Sequence, residues 1–274
     1  MASAEQVVGT VVSLWRYPVK SMQGEELNAT EVTKRGLLGD RAYALIDSAD
    51  GKVASAKNPR KWPGLFDFRA AFATEPQPGE PLPAMRITLP DGRVIASNHP
   101  DVDAVLAKAI GRSACLSNAA PSKPVLEEYW PDMEGLAHRD TTTDESIPSG
   151  LFFDAAHVHV LTTATLDWLR ELYPAGRFEV RRFRPNVVIA AQPSDKGFIE
   201  NTWPGKTLAL GAEVRLDITA PCARCVMTTL PQSDLPADPG ILRTAARHNQ
   251  VQVGVYARVA RPGRLRRGDP AKLE

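Results

Sequence analysis

Short β-branched runs broken by Asp-Gly turns restrict the fold of this chain more than any other feature. Strand-like residues fill Val7 to Val19 and Arg41 to Asp47, and Asp50-Gly51 follows the second run. Met85 to Leu89 and Val94 to Ser97 flank Asp91-Gly92. Asp-Gly supplies the positive-φ positions of a tight hairpin turn, so both pairs predict hairpins. Further strands are expected at His157 to Leu161, Phe183 to Ala191, Thr207 to Leu210, Val214 to Thr219 and Val251 to Val259. Many short strands at close spacing favour a barrel or a strongly bent sheet. Helices are fewer. Asp101 is placed to cap Val102 to Ile110, which Gly111 ends. Thr162 or Thr163 opens a helix with Leu166, Leu169, Leu172 and Tyr173 on one side, and Ile241 to His248 forms another. Ser113 to Gly150, rich in Pro, Asp, Glu, Ser and Thr, reads as a connector carrying short elements. The expected fold is α+β and β-barrel-dominated. An N-terminal β-rich domain covers residues 1–118, and a second β-barrel with a few helices covers residues 119–274.

A chain of 274 residues buries enough surface to fold without disulfide or zinc staples. Its 33 basic and 32 acidic residues leave a formal charge of +1, which argues against a nucleic-acid partner but not against one local basic pocket. No apolar stretch is long enough for a membrane span, and Met1 to Gln6 carries no signal-peptide pattern. Three sparse cysteines point to a reducing compartment, so a cytoplasmic protein without a membrane partner is expected.

The most informative segment is Ala220-Pro221-Cys222-Ala223-Arg224-Cys225. Its Cys-x-x-Cys spacing has four readings. Structural zinc needs two more soft ligands, and no second such motif exists. A redox dithiol wants a helix start, whereas Val226-Met227-Thr228-Thr229 favours extended chain. Two inert core thiols are the plainest reading. The fourth is a functional thiolate at Cys225 beside the Arg224 guanidinium, although neighbours in extended chain point to opposite faces.

Several segments together resemble the MOSC family, the domain named for the C-terminus of molybdenum cofactor sulfurase, with its companion N-terminal β-barrel. The N-terminal resemblance rests on Tyr17-Pro18-Val19-Lys20-Ser21 and Gly39-Asp40-Arg41. The C-terminal one rests on Phe183-Arg184-Pro185-Asn186, Trp203, Leu210-Gly211, Cys222-Ala223-Arg224-Cys225 with Thr228-Thr229, and Gly268-Asp269. Mitochondrial amidoxime-reducing components and related bacterial proteins share this arrangement. The resemblance implies a molybdopterin-type molybdenum cofactor with Cys225 as metal ligand and catalytic residue. It also implies cofactor contacts at Lys20, Ser21, Arg41, Thr162, Arg184, Asn186 and Tyr256. Neither pyridoxal phosphate nor an iron–sulfur cluster is expected, because the cysteines of such a cluster are missing.

Each position also has a plainer role. Lys20 and Arg41 fit solvated strand ends, and Arg184 the start of an edge strand. Thr162 fits a helix cap, and Tyr256 a core position. His157 and His159 invite a proton-donor role, with packing the simpler account. The function implied is reduction of N-hydroxylated or N-oxidised small molecules by oxygen-atom transfer. Electrons would come from an external redox protein, because neither a Gly-x-Gly-x-x-Gly fingerprint nor a Walker loop is present. The alternative is a carrier of cofactor or sulfur that uses Cys225 as a persulfide acceptor.

Overall fold

In the computed structural model, seven strands close into a barrel. Their order is Val187–Ala190, Val158–Thr162, Gln252–Arg261, Val214–Ala223, Thr207–Leu210, Pro270–Leu273 and Gln6–Arg16, which returns to Val187–Ala190. The residues described are 6–132, 138–148, 150 and 152–274. All barrel pairings are antiparallel except Val158–Thr162 with Val187–Ala190. A parallel pair needs a long crossover, and residues 163–186 provide it. The first strand of the chain bulges as it meets the last, between Val7 and Gly9. Gly9 is required there, because a Cβ would stand 1.9 Å from the Ala190 carbonyl oxygen.

The barrel interior is hydrocarbon. Leu14, Val160, Val187, Leu208 and Val255 are wholly buried in one cluster. A second core lies in the N-terminal half, around Met22, Leu45, Phe68, Met85 and Ile87. Arg69–Phe72, Met85–Thr88 and Val94–Ala96 form its three-stranded sheet, with the expected turn at Gly92 in left-handed backbone. The connector holds a hairpin, Val125–Trp130 with Thr141–Ser146. Met227, from the C-terminal half, belongs to this second core, and Cys225 packs against it. The Cys-x-x-Cys segment therefore sits where the two cores meet.

Four helices are described: α1 (Val102–Ile110), α2 (Thr163–Leu172), α3 (Val180–Phe183) and α4 (Pro239–Asn249). None among the described residues is long and apolar enough to cross a membrane. Several local expectations need correction. Asp101 precedes α1 without a side-chain capping bond, and Gly111 alone marks the helix end. The strand expected from Phe183 begins only at Val187, because α3 takes Phe183 and leaves Arg184 left-handed as its cap. The strand from Val214 runs on to Ala223 and carries Cys222. Val226 to Thr229, expected to be extended, winds into a 3₁₀ turn, closed where the Thr228 N–H and hydroxyl both donate to the Cys225 carbonyl.

Candidate functional site

The 3₁₀ turn after Cys225 is anchored from below by Arg182. Its guanidinium is wholly buried and donates to the carbonyls of Arg177, Thr228, Leu230 and Pro236. Four carbonyls satisfy one buried cation that has no carboxylate partner among the described residues, which fixes the loop and the thiol it carries.

Cys225 lines a cavity of about 380 Å³ together with Arg41, Arg184, Asn186 and Tyr256. These five of the expected site residues come from four separate segments, Arg184 and Asn186 sharing one. Lys20 stands beside the cavity, donating to the Phe152 carbonyl and to Asp154, which is itself a wall residue. Ser21 and Thr162 do not line the cavity. Ser21 Oγ accepts from Ala56 N at 3.0 Å. Thr162 Oγ1 caps α2 by accepting from Thr165 N and donates to Glu200 at 2.8 Å.

Three of the expected residues, Ser21, Arg41 and Arg184, have left-handed backbone, with φ of 64°, 47° and 51°. Non-glycine residues adopt this only when their surroundings enforce it, and such strain gathers at functional sites. Arg41 and Arg184 converge over one ring, their guanidinium carbons 4.8 and 4.1 Å from the Tyr17 centroid. Arg41 is bonded to Asp40. Among the described residues Arg184 donates to the Met22 carbonyl alone, at 2.7 Å. Burial, then the neighbouring Arg41 charge, pushes Arg184 down to about 10. Asn186 is fully engaged: its amide donates to Trp15 O and Asp40, and its oxygen accepts from His159 N.

The same cavity is also lined by Lys57, Glu128, Glu145 and Asp154, which the sequence reading did not single out, and by His159, for which it preferred packing to a proton-donor role. Lys57 bonds both Glu128 and Glu145. Burial pulls Lys57 down, but Asp154, Cys225 and the two glutamates outweigh it and hold the ammonium charged. Burial, with Glu145 beside it, raises Glu128. His159 is held by Val253 O and by Gly254, where a Cβ would lie 2.3 Å from Nε2. Of this wall, only His159 carries a signal in the sequence, through its alternation with His157. His157 itself packs at a tilt against Phe153, outside the cavity lining.

The two thiols differ sharply. Arg224 Nη1 lies 2.7 Å from the sulfur of Cys222, two residues back on the same face of the strand, and not on Cys225. Burial pushes Cys222 up, but Arg224 and then His159 reverse this and bring it to about 6. Burial pushes Cys225 up to about 11, against the weaker pull of Lys57. Tyr256, raised by burial and by Cys222, keeps its proton. Arg224 Nε is buried with no hydrogen-bond partner. The cavity thus joins one soft thiol to guanidinium donors that are not all used within the protein, which is what an anionic group with a thiophilic metal requires.

Residues 8–107 match the MOSC N-terminal beta barrel domain family, and residues 149–272 match the MOSC domain family. The chain is 26% identical to mitochondrial amidoxime reducing component 2 of Rattus norvegicus, over 97% of this chain and 83% of that one. It is also 26% identical to mitochondrial amidoxime-reducing component 1 of Mus musculus, over 98% and 83%. Among solved structures, the YuaD protein of Bacillus subtilis aligns at 12% identity and a TM-score of 0.49, covering 98% of this chain and 97% of that one. With the two domain families matched in order along it, the chain belongs to the MOSC-domain proteins.

Proposed function

We propose that this chain binds a molybdopterin-type molybdenum cofactor in the cavity beside Cys225 and reduces N-hydroxylated or N-oxidised small molecules. The observation that carries this reading is one cavity lined by Cys225 together with three arginines, Arg41, Arg184 and Arg224. The names of the relatives, amidoxime-reducing components, support the choice of substrate class. The division of the chain into units at residues 118 and 119 belongs to the same reading, with the strand Gln6–Arg16 contributed to the C-terminal barrel.

The residues fit the group. Cys225 would be the metal ligand, binding as the thiolate, whereas burial keeps its thiol protonated in the protein alone. Arg41 and Arg184, with Lys20 behind them, hold the anionic end. Asn186 and Tyr256 are wall residues, and Ser21 and Thr162 act indirectly, by fixing the segments they bond. When bound, the cofactor supplies two-electron oxygen-atom transfer. The balance is one N–O bond broken, two electrons and two protons taken up, and one water released. Tyr256 O–H presents a proton on the cavity wall. The electrons come from an external redox protein, since the sequence offers no nucleotide fingerprint for a nicotinamide or flavin. A cytoplasmic setting suits its three free cysteines.

The test is metal analysis and X-ray absorption of protein made in a cofactor-competent host. Stoichiometric molybdenum with a metal–thiolate signature is expected, lost in Cys225→Ser and retained in Cys222→Ser. The reverse pattern would show that Cys222, the more acidic thiol, is the ligand. Sulfane sulfur without metal would establish the carrier role instead.

A further inference from the structure

Behind the wall that carries Cys225 lies a second sulfur, which the chemistry above leaves unused. Cys222 is 0% exposed and does not line the cavity. Three residues that do line it converge on this sulfur. Arg224 donates from Nη1 at 2.7 Å, and His159 and the Tyr256 hydroxyl donate as well. The donors come from three neighbouring strands. Tyr256 is paired with His159 on one side and with Ala220 on the other. The strand Val214–Ala223 bulges twice here, between Ile218 and Ala220 and again between Pro221 and Ala223, at Cys222 itself. Bulges re-aim side chains. Ile218 still packs in the barrel core, whereas Cys222, four residues on, meets polar groups.

None of the three donors is bonded to a carboxylate among the described residues. Arg224 also donates to the Phe183 carbonyl at 2.8 Å, and His159 meets the Val253 carbonyl at 3.1 Å. The sulfur is therefore the anion of this group. Burial pushes its thiol up, and Arg224 and then His159 bring it down to about 6. A buried sulfur with three donors is a counter-ion and not hydrocarbon packing. Its acidity matters beside Tyr256, whose phenol is raised by burial and by Cys222 itself. A proton that Tyr256 gives up leaves a phenolate, and the far more acidic S–H of Cys222 can replace it. Arg224 then holds the thiolate.

We propose that Cys222 is a positioning residue for the reduction described above, on which this role rests: its sulfur fixes the Tyr256 hydroxyl and the Arg224 guanidinium on the cavity wall and resupplies the phenol proton. As the Tyr256 proton moves to the departing oxygen of the substrate, the Cys222 proton moves to the Tyr256 oxygen. No electrons pass through Cys222. His159, bonded to the sulfur and lining the cavity, brings in the replacement proton.

The test has two arms. In full-length protein from a host without the cofactor, thiolate absorbance at 240 nm should rise in a step near pH 6 that belongs to Cys222, since Cys225 is pushed up to about 11. Cys222→Ser should abolish that step. Tyr256→Phe should move it up by about one pH unit, the effect of removing one hydrogen bond to an ionised group. In molybdenum-loaded protein reducing benzamidoxime with reduced viologen, Cys222→Ala should lower kcat about tenfold and leave KM and molybdenum content unchanged. Wild-type kcat should fall as pH rises through the Cys222 step. Cys222→Ser keeps an acceptor for the phenol but does not ionise, so it should recover part of kcat and lose this pH limb. Adding Cys222→Ala to Tyr256→Phe should cost no more than about twofold further, because the two act as one unit. A missing 240 nm step near pH 6, or one that Tyr256→Phe leaves in place, overturns the arrangement, whether or not the protein turns over. Full turnover in Cys222→Ala, an unchanged pH profile in Cys222→Ser, or costs of the two substitutions that multiply overturn the role. Wild-type protein that holds molybdenum yet reduces nothing would overturn the reduction itself and this role with it, while the first arm still reports on the hydrogen bonds to Cys222.

Discussion

The barrel interior and the seam beside it are both buried, by different means. The interior cluster is apolar throughout, from Val8 to Leu273. The seam buries Lys20, Asp40, Lys57, Glu128 and Arg184, all less than 9% exposed. Hydrocarbon burial is non-directional and works with any close packing. A buried charge must be met by a named partner at a fixed place. The seam also holds Ser21, Arg41 and Arg184 in left-handed backbone. The difference teaches that apolar packing and buried charge are separated in space here: the barrel supplies a frame, and the frame holds together charged groups that would not stay buried unaided.

The largest effect should come from the frame. Leu14 is wholly buried in the barrel on the strand Gln6–Arg16. Leu14→Ala should cost about 2–5 kcal/mol by lost burial and a residual cavity. Urea unfolding measures this, and the native fraction should keep its normal thiol reactivity at Cys225. A loss below about 1 kcal/mol would show that the barrel is not the main source of stability, and would break the comparison.

A substitution in the seam should cost less and depend on pH. Asp154 bonds the buried Lys20, though its own side chain is 34% exposed. Burial pushes Asp154 up, but Lys20, Lys57 and Arg41 outweigh it and hold it well below the usual carboxylate range. A depressed folded value means that the unfolded chain takes up the proton first as pH falls. The contribution of Asp154 is therefore complete above its unfolded value, near pH 4, and is lost as pH drops through the folded value. Asp154→Asn should cost about 1–2 kcal/mol at pH 7, the partial exposure limiting the effect. The difference from wild type should shrink below about pH 4. A difference that stays constant from pH 7 to pH 3 would show that the ion pair contributes nothing.

The same division governs what was legible in the sequence. The barrel could be read because alternation and turn residues are local: the hairpin at Asp91-Gly92 and the helix Val102–Ile110 stand as expected. Phe183 could not, because the residues before Pro185 fold into α3 under tertiary packing that overrides strand propensity. In the site, Arg41, Arg184, Asn186 and Cys225 carried motif signals. Lys57 and Glu128 did not, because they meet across 71 residues and an isolated Lys or Glu reads as solvated surface. The partner of Arg224 was open to misreading for a simpler reason. Extended chain puts residues two apart on one face, so adjacency to Cys225 mattered less than the spacing to Cys222.

The smallest effect tests a buried charge outside the seam, and it has the opposite sign. Glu200 is wholly buried and receives hydroxyl hydrogen bonds from Thr162 and Thr165, each at 2.8 Å. No cation pairs with it among the described ion pairs, unlike the acids of the seam. Burial accordingly raises its carboxyl above the usual value, although both threonines pull it down. A raised folded value means that the unfolded chain releases the proton first as pH rises. Stability associated with Glu200 is therefore full below the unfolded value, near pH 4.5, and falls until pH passes the folded value. Glu200→Gln keeps the shape and one acceptor while removing the ionisation. It should match wild type near pH 4 and exceed it by about 0.5–1 kcal/mol at pH 7. Thermal unfolding at the two pH values reads this directly. A Gln variant less stable at pH 7 would mean that the threonine hydroxyls hold the carboxylate as firmly as the lysines hold theirs, so that a cation would not be what distinguishes the seam. It would also leave Thr162 tied to a charge and not only to the cap of α2.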